Sequence, residues 1–465
     1  MVRRFVYPKA AGQRYWNEYL QTMPREKLDE LHLKRLQHLI KFAYQNSSLY
    51  RRLYDKAGVK PEDIKTWDDF YHKVPSTDKP DYMKDQEGSG GTETSPPFAG
   101  EALPPEYRQY FFQTTGTTGQ PLREHFSFYD TVRMADAFCY GYWDNGVRPG
   151  DSFYFAFNWG TWIGLWSVYW GCLRLGATVY SGGGLSTEER IKAIMSLRPK
   201  IVVGTPTYLL HMVDVARSMG LDLRDSGVRV LSGGGEPGFN VAATRQAMVA
   251  GWGAEKAVDF VGIGELNIVH PECGANPGGV HAAEDVFHSY SIDPESGEKV
   301  PEGKVGENVI STYSHSSQIF IKYRTHDLVE RHEHFDHGCG WTWAYYPGTV
   351  LGRSDFMVVI RGVNVYPTAV ENLLGQVDGT THYYELHISR DAGMDRMLVK
   401  VEAGESEPPD QYAALAERVS RMYRDTLGVR LEAEVVAPHS LPRYELKSKK
   451  IFDHRPVEVR RKLDR

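Results

Sequence analysis

A mixed α/β fold is predicted: a large N-terminal α/β domain with a β-rich lobe, followed by a small C-terminal α/β domain. Between residues 153 and 231, apolar runs short enough for strands alternate with segments of helical period, the pattern of a parallel sheet covered by helices. Residues 285–330 change character, giving short strand candidates separated by turns such as Pro294-Glu-Ser-Gly-Glu and Pro301-Glu-Gly. From Gly352 a charged turn, Gly-Arg-Ser-Asp, leads into an apolar strand at Met357–Ile360 and then a Gly-Val-Asn-Val-Tyr-Pro turn into a helix. Arg353 and Asp355 are too polar for a core strand, so a domain boundary is expected at Asp355, separating 1–354 from 355–465. A chain of 465 residues also exceeds the roughly 250–300 residues beyond which a single core stops growing.

Taken in order, residues 14–75 are rich in helix formers, and Leu31, Leu33, Leu36, Leu39, Ile40 and Ala43 are spaced for one buried face. Residues 85–105, rich in Gly, Ser, Thr, Pro and Glu, are expected as an exposed loop. Strands follow at Phe153–Phe157, Ala177–Tyr180, Ile201–Val203 and Val228–Leu231, with helices Ile163–Leu175, Thr187–Leu197 and Thr207–Ser218 between them. The run from Ser152 to Leu173 carries no charged residue, and Trp159, Trp162, Trp166 and Trp170 recur at helical spacing. Turn residues at Asn158-Trp-Gly160 and Gly176-Ala divide it into strand, turn, helix and strand, a buried α/β unit rather than a membrane span. The tail, Leu441 to Arg465, carries nine Lys or Arg against four Asp or Glu and reads as solvated surface.

Composition narrows the function classes. The net charge is −6 and 25% of residues are charged, which argues against a nucleic-acid partner with its clustered basic face. Four cysteines are too few for a disulfide framework and fit a reducing compartment. The N-terminus lacks the apolar run of a secretory signal, so a cytoplasmic protein with no membrane partner is expected.

Several motifs bear chemistry. In Thr114-Thr-Gly-Thr-Thr-Gly-Gln-Pro121, Gly116 and Gly119 let the backbone turn tightly and present N–H groups, while Thr114, Thr115, Thr117 and Thr118 add hydroxyl donors. Such a loop can wrap phosphate oxygens without a Walker lysine; read alone, it is a Thr/Gly-rich surface turn. Ser232-Gly-Gly-Gly-Glu-Pro237 follows a predicted strand at the carboxyl edge of the sheet, where glycine permits a flat ring to approach the backbone. Asp259-Phe-Val-Gly-Ile-Gly-Glu265 ends on a carboxylate, a hard ligand suited to Mg²⁺. Tyr323-Arg-Thr-His-Asp327 puts Asp327 just after a strand expected at Ile319–Tyr323, and a carboxylate can accept both ribose hydroxyls. His326 beside it is expected to face solvent. Cys273 and His281 precede the bulk of the β lobe and His337 and Cys339 follow it, a donor set for a closed, structural Zn²⁺ site with His332, His334 and His270 as substitutes. The alternative is buried cysteines beside surface histidines. Of the tryptophans, only Trp159, beside the turn, is expected to line a pocket.

These motifs occur in the order found in adenylate-forming enzymes, and Arg361-Gly-Val-Asn-Val-Tyr-Pro367 resembles the phenylacetate-CoA ligase branch. The resemblance spans the chain from its helical N-terminus to the lysines of Leu441-Pro-Arg-Tyr-Glu-Leu-Lys447-Ser-Lys-Lys-Ile451. It implies the adenylate-forming fold with a mobile C-terminal domain hinged at Asp355. It assigns Thr114, Thr115, Gly116, Thr117, Thr118 and Gly119 to the phosphates of ATP, and Gly234, Gly235 and Glu236 to adenine. Asp327 and Arg353 join the nucleotide site, and Glu265 serves catalysis as the Mg²⁺ ligand. Lys447 matches the lysine of the adenylation step, with Lys449 and Lys450 as alternatives. The resemblance extends to some relatives that have Cys-rich zinc sites hereabouts, and it implies that Trp159, Gly164, Gly233 and Gly264 fall where phenylacetate-CoA ligases line the acyl pocket. The chain departs from the family pattern at Gln120, Val261, Gly264 and His326, where a basic residue, an aromatic, a hydroxyl residue and an arginine are usual.

The implied reaction has two halves: a carboxylate, expected to be an aryl or arylacetic acid, attacks the α-phosphate of Mg·ATP, and coenzyme A then displaces AMP from the acyl-adenylate. The alternatives are transfer to a carrier-protein thiol or an amine, or a nucleotide-binding regulator that has lost catalysis. A homodimer is left open. Because Gly233, Gly235 and Gly264 stand where relatives carry larger side chains, the acid is expected to be larger than phenylacetate. The competing expectation is that Phe157, Trp162 or the β lobe refills the space.

Overall fold

Side-chain alternation along five short strands builds the centre of the molecule. A computed structural model describes residues 12–88, 97–114, 121–354, 358–360, 363–365, 367–391, 394–443 and 450–456. Its central sheet has the order Thr178–Ser181, Ser152–Phe155, Ile201–Val203, Val230–Gly233, Lys256–Ile263, Ile268–Pro271. The first five strands run parallel and the last pairs antiparallel. Phe153, Phe155, Ile201, Val203, Val230 and Val258 point into one core, and Tyr154, Val202, Leu231 and Ala257 into another on the opposite face. A period of two with both faces apolar is what a helix-covered parallel sheet demands.

Helices Phe128–Asp144 and Ile163–Leu175 cover the first face; Thr187–Leu197, Pro206–Ser218 and Ala242–Trp252 cover the second. Their ends are written locally. Ser127 and Asp130, and Ser186 and Glu189, form reciprocal capping boxes. The expected strands and helices of this region are all present, their ends shifted by a few residues. Among the described residues no helix is long and apolar enough to cross a membrane.

The β lobe is a four-stranded antiparallel sheet, Phe287–Ile292, Val305–Thr312, Tyr323–Glu330 and Gly352–Arg353. The strand expected at Ile319–Tyr323 is displaced: it begins at Tyr323 and runs to Glu330, so Asp327 lies within a strand, not after one. Ile319, Phe320 and Ile321 are apolar because they are fully buried, not because they pair in a ladder. Part of their backbone is satisfied by side chains of the N-terminal helices, Tyr82 Oη donating to Ile319 O at 2.6 Å and Ile321 N–H donating to Tyr50 Oη at 2.7 Å, and part by other loops, Ile319 N–H donating to Gly100 O and Thr312 N–H to Phe320 O.

A buried ion cluster ties the long N-terminal helix Arg25–Asn46 to the lobe. Glu284 accepts from Arg25 Nη1 at 2.7 Å and from the Ala344 N–H at 2.9 Å, with Arg331 Nη2 at 3.6 Å. Burial pushes its carboxyl up, but Arg25 and its cationic neighbours outweigh burial and hold it down at about 2.

Residues 358–456 carry a separate core around Val370, Ile388, Val399, Val401, Val419 and Tyr423. Their sheet has the order Glu432–Val436, Met394–Ala403, Thr380–Asp391, Ile451–Asp453, the middle pair antiparallel and both outer pairs parallel. The expected boundary and hinge at Asp355 lie outside the described residues. Tyr383 Oη reaches across to Asp214 Oδ2 on the helix Pro206–Ser218, 3.3 Å away, and the Arg443 guanidinium lies 3.3 Å from the Tyr383 ring centroid.

Glu284→Ala should lower stability at pH 7 by about 3–5 kcal/mol, because it strands buried cations. The carboxyl is depressed from 4.5 to about 2, so its contribution is full above the unfolded value and is lost as pH falls toward the folded one. Urea unfolding at pH 7 and pH 3 checks both points: the gap between parent and variant should narrow at the lower pH, and equal stabilities at pH 7 would contradict the role.

Candidate active site

In a parallel sheet all carboxyl ends open on one edge, and here Phe155, Val203 and Gly233 end their strands within one residue of each other in register, while Lys256–Ile263 runs four residues beyond Asp259, the partner of Gly233. The backbones are pinched there. A Cβ built on Gly233 would lie 1.8 Å from the Gly204 carbonyl oxygen, and one on Gly234 would lie 2.2 Å from that of Phe260. The space beside Gly233 is therefore the neighbouring strand, and the expectation that this glycine widens an acyl pocket is corrected. Gly235 follows at φ +86°, a left-handed turn that swings Glu236 back to accept from the Thr207 N–H at 2.9 Å. Thr207 lies in the first turn of the helix Pro206–Ser218, so one Glu236 oxygen is engaged with the helix N-terminus.

The strands flanking the phosphate-loop candidate in sequence form a hairpin. Tyr110–Gln113 pairs antiparallel with Arg123–Phe126, and Thr114 closes the pair by donating its N–H to Leu122 O at 3.0 Å and accepting the Leu122 N–H at 3.1 Å. Thr115, Gly116, Thr117, Thr118, Gly119 and Gln120 lie outside the described residues. The hairpin is moored to the sheet edge by Gln113 N–H, which donates to Thr161 O at 3.1 Å.

Glu265 follows the strand Lys256–Ile263 and accepts from Lys79 Nζ at 3.0 Å. Burial pushes its carboxyl up, but Lys79 outweighs burial and holds it below the ordinary value, with Arg353 adding in the same direction. Asp327 and Arg353 are direct partners across two antiparallel strands, and Arg353 Nη1 donates to Asp327 Oδ1 at 3.3 Å. The lobe thus brings together two residues that sequence alone placed in the same site. A bulge between Glu307 and Val309 interrupts the neighbouring ladder, and His326 takes φ +62° with Nδ1 3.6 Å from Glu307 Oε1. His326 is accordingly half-buried against a carboxylate, not turned to solvent.

Two groups here had no sequence signal. Lys79 reaches Glu265 across 186 positions. Glu124, on the hairpin, is buried with neither carboxyl oxygen hydrogen-bonded among the described residues. Burial raises its carboxyl well above the ordinary value, and the Glu265 charge adds to this. At the other end of the chain, Lys447 and Lys449 lie outside the described residues. Lys450 is committed elsewhere, 2.8 Å from Glu371 Oε1 and 4.7 Å from the Tyr384 ring centroid.

The tryptophans also divide differently from their spacing. Trp159 is locked in an aromatic cluster with Phe155, Phe157, Trp166 and Tyr169, its Nε1 donating to Ser181 Oγ at 2.8 Å. Trp162 lies over the glycines. A Cβ at Gly164 would lie 2.8 Å from its Cη2, one at Gly235 would lie 3.3 Å from the same atom, and one at Gly264 would lie 3.8 Å from its Nε1. The ring thus presses on the space beside Gly235 and stands at ordinary contact distance from that beside Gly264.

Apart from this edge, Cys273, His281, His337 and Cys339 converge with all four donor atoms within 4.8 Å of one another. Cys273 Sγ to His337 Nε2 is 3.2 Å, His281 Nε2 to His337 Nε2 3.3 Å, and Cys339 Sγ to His281 Nε2 3.6 Å. A tetrahedral zinc ion at its usual bond lengths separates its ligands by roughly 3.3–3.8 Å. His281 Nδ1 lies 3.2 Å from the Trp343 carbonyl, which calls for a proton there and leaves Nε2 as a lone pair. Hydrogen bonding with Cys339 pulls the Cys273 thiol down and pushes that of Cys339 up.

Residues 362–455 match the family model for the AMP-binding enzyme C-terminal domain. Over its length the chain is 32% identical to a phenylacetate-coenzyme A ligase of Aromatoleum evansii, covering 95% of this chain and 98% of that protein. Among solved structures it is similar to 2-hydroxyisobutyryl-CoA ligase in the postadenylation state, bound to R3-HIB-AMP, with a TM-score of 0.89, 27% identity and coverage of 99% and 96%. Against the same ligase with 2-HIB-AMP and CoA in the thioesterification state the TM-score is 0.72, at 28% identity and coverage of 99% and 97%.

Removing the Glu236 carboxylate should cost about 1 kcal/mol, the usual price of a lost helix N-cap. Chemical unfolding of Glu236→Ala measures it, and an unchanged midpoint would mean that the helix does not depend on this carboxylate.

Proposed function

Since the chain belongs to the phenylacetate-coenzyme A ligase family, we propose that its carboxyl-edge site activates a carboxylic acid with ATP and passes the acyl group to coenzyme A. It is an AMP-forming acid–thiol ligase. A carboxylate oxygen attacks the α-phosphorus, pyrophosphate leaves, and the acyl-adenylate is then cleaved by the coenzyme A thiol with release of AMP. The observation that supports this reading is the linkage beside the sheet edge of Glu265 to Lys79 and to the charge of Arg353, of Arg353 to Asp327, and of the Thr114 hairpin to Thr161.

In this reading the peptide planes at Gly234 and Gly235, bare of side chains, take the adenine face, and Asp327 takes the ribose hydroxyls. Arg353 steadies Asp327 from the adjoining strand. Glu265 would hold Mg²⁺, which supplies charge neutralisation for the phosphates; the donor fits, being a quarter exposed and held ionised by Lys79. Lys79 would have to share Glu265 with the ion. Lys447 would stabilise charge at the α-phosphate as the carboxylate attacks. The contact between Tyr383 and Asp214, together with the likeness to a postadenylation arrangement, supports a domain orientation suited to adenylation. A rotation about Asp355 would serve the thiol step. An aromatic acid is proposed from the family.

The cysteine–histidine cluster is proposed as a zinc site. All four positions are protein donors and none is left open, so the ion would pin the 273–281 segment to the 337–339 loop and take no part in the reaction.

Acid-dependent exchange of labelled pyrophosphate into ATP, followed by thioester formation with free coenzyme A, tests the reading. Lys447→Ala should abolish exchange yet still form thioester from a supplied acyl-adenylate. Equal loss of both steps would contradict the role of Lys447, thioester formation only on a carrier protein would identify another acceptor, and no exchange with any acid would favour a regulator. For the metal, elemental analysis should find one zinc per chain, and Cys273→Ser should lose it and melt at a lower temperature. A metal-free parent would refute the site.

A further inference from the structure

We propose that Tyr383 is a positioning residue for adenylation: its contact with Asp214 couples the seating of the C-terminal domain to the placement of the segment that carries Lys447. This rests on the ligase reading above and deepens it by naming a residue that acts on one half-reaction only.

The contact joins two separately packed units. Asp214 lies on the helix Pro206–Ser218, whose first turn is held by Glu236 and whose Tyr208, Leu209, Met212 and Val213 are packed into the second core of the central sheet. Asp214 is therefore a fixed point relative to the Gly233–Glu236 turn. Tyr383 belongs to the strand Thr380–Asp391, where the ladder to Met394–Ala403 slips between Thr380 and Tyr384. An irregularity of this kind re-aims a side chain, and Tyr383 Oη donates to Asp214 Oδ2 at 3.3 Å.

The same ring holds one end of the lysine segment. The Arg443 guanidinium carbon lies 3.3 Å from the Tyr383 ring centroid, a close cation–π contact. Arg443 is itself fixed by a two-pronged ion pair with buried Glu402, Nη1 to Oε1 at 2.9 Å and Nη2 to Oε2 at 2.8 Å. Glu402 also accepts the N–H groups of His439 and Leu441, so the chain up to Arg443 is moored to the strand Met394–Ala403. Lys447 comes four residues later. Beyond it, Lys450 pairs with Glu371 and lies over the Tyr384 ring. Neighbouring tyrosines of one strand thus hold the two ends of the segment, and Tyr383 also reaches the large domain.

With the small domain in this orientation, Asp214, Tyr383, Arg443 and Glu402 form a chain of contacts from the helix Pro206–Ser218 to within four residues of Lys447. A turned domain parts Tyr383 from Asp214, because the helix stays with the central sheet. The contact therefore favours the arrangement in which Lys447 serves adenylation and takes no part in the thiol step. A hydrogen bond to a charged acceptor is strong enough to shift such an equilibrium by about tenfold.

Two reactions are to be measured in the parent, Tyr383→Phe, Asp214→Ala and the double variant: pyrophosphate exchange with the acid that the parent exchanges best, and thioester formation from that acid's supplied adenylate. Tyr383→Phe keeps the ring beneath Arg443 and Asp214→Ala alters an exposed side chain, so both should melt with the parent. Each single variant should lower exchange by about five- to tenfold and leave thioester formation unslowed. The double variant should lose no more than either single one, since both remove the same contact. Equal slowing of the two half-reactions overturns the proposal, because it would make Tyr383 a prop of the small domain. Additive losses overturn it as well, as does unchanged exchange in both single variants. A parent that exchanges with no acid would instead overturn the ligase reading, and the proposal with it.

Discussion

At Gly233 and Gly234 the central sheet closes so tightly that only hydrogen fits between neighbouring backbones, with added carbons falling 1.8 Å and 2.2 Å from carbonyl oxygens. That constraint organises the rest of the site. It strips side chains from the turn after the strand Val230–Gly233, leaving peptide planes exposed at the edge where all parallel strands end. It lets Gly235 take a left-handed turn, which returns Glu236 to the start of the next helix. The Trp162 ring lies beside the next residue of the turn, Gly235. Packing and function share the same three glycines, so a side chain at Gly233 or Gly234 would damage the sheet before it altered a pocket.

What was legible in the sequence was what local chemistry writes. Phe153, Phe155 and Val203 alternate with Tyr154 and Val202 because the sheet has two apolar faces, and that period can be read without a structure. Ser127 with Asp130, and Ser186 with Glu189, announce their helices. Cys273 with His281, and His337 with Cys339, stand as close pairs, so their convergence needed only that the lobe between them fold back on itself.

What was not legible depended on contacts between distant residues. The apolar run Ile319–Ile321 looks like a strand, but tyrosines of the N-terminal helices take its backbone groups, and the true strand starts at Tyr323. Trp159 and Trp162 share helical spacing with Trp166 and Trp170, yet the helix begins only at Ile163, so spacing could not say which ring would join the aromatic cluster and which would lie against the glycines. Lys79 and Glu124 carry no motif; they matter because the N-terminal helices and the hairpin close over Glu265. Lys450 shows the opposite case, a lysine in the right segment whose charge is committed to Glu371.

The central claim is that the acid is activated by attack of its own carboxylate oxygen on the α-phosphorus of ATP. Isotope transfer reads that event directly. With the acid labelled by oxygen-18 in its carboxylate and turned over with ATP and coenzyme A, the account predicts one labelled oxygen in the phosphoryl group of AMP and none in pyrophosphate. Label in inorganic phosphate with ADP as the product, or unlabelled AMP, would contradict it.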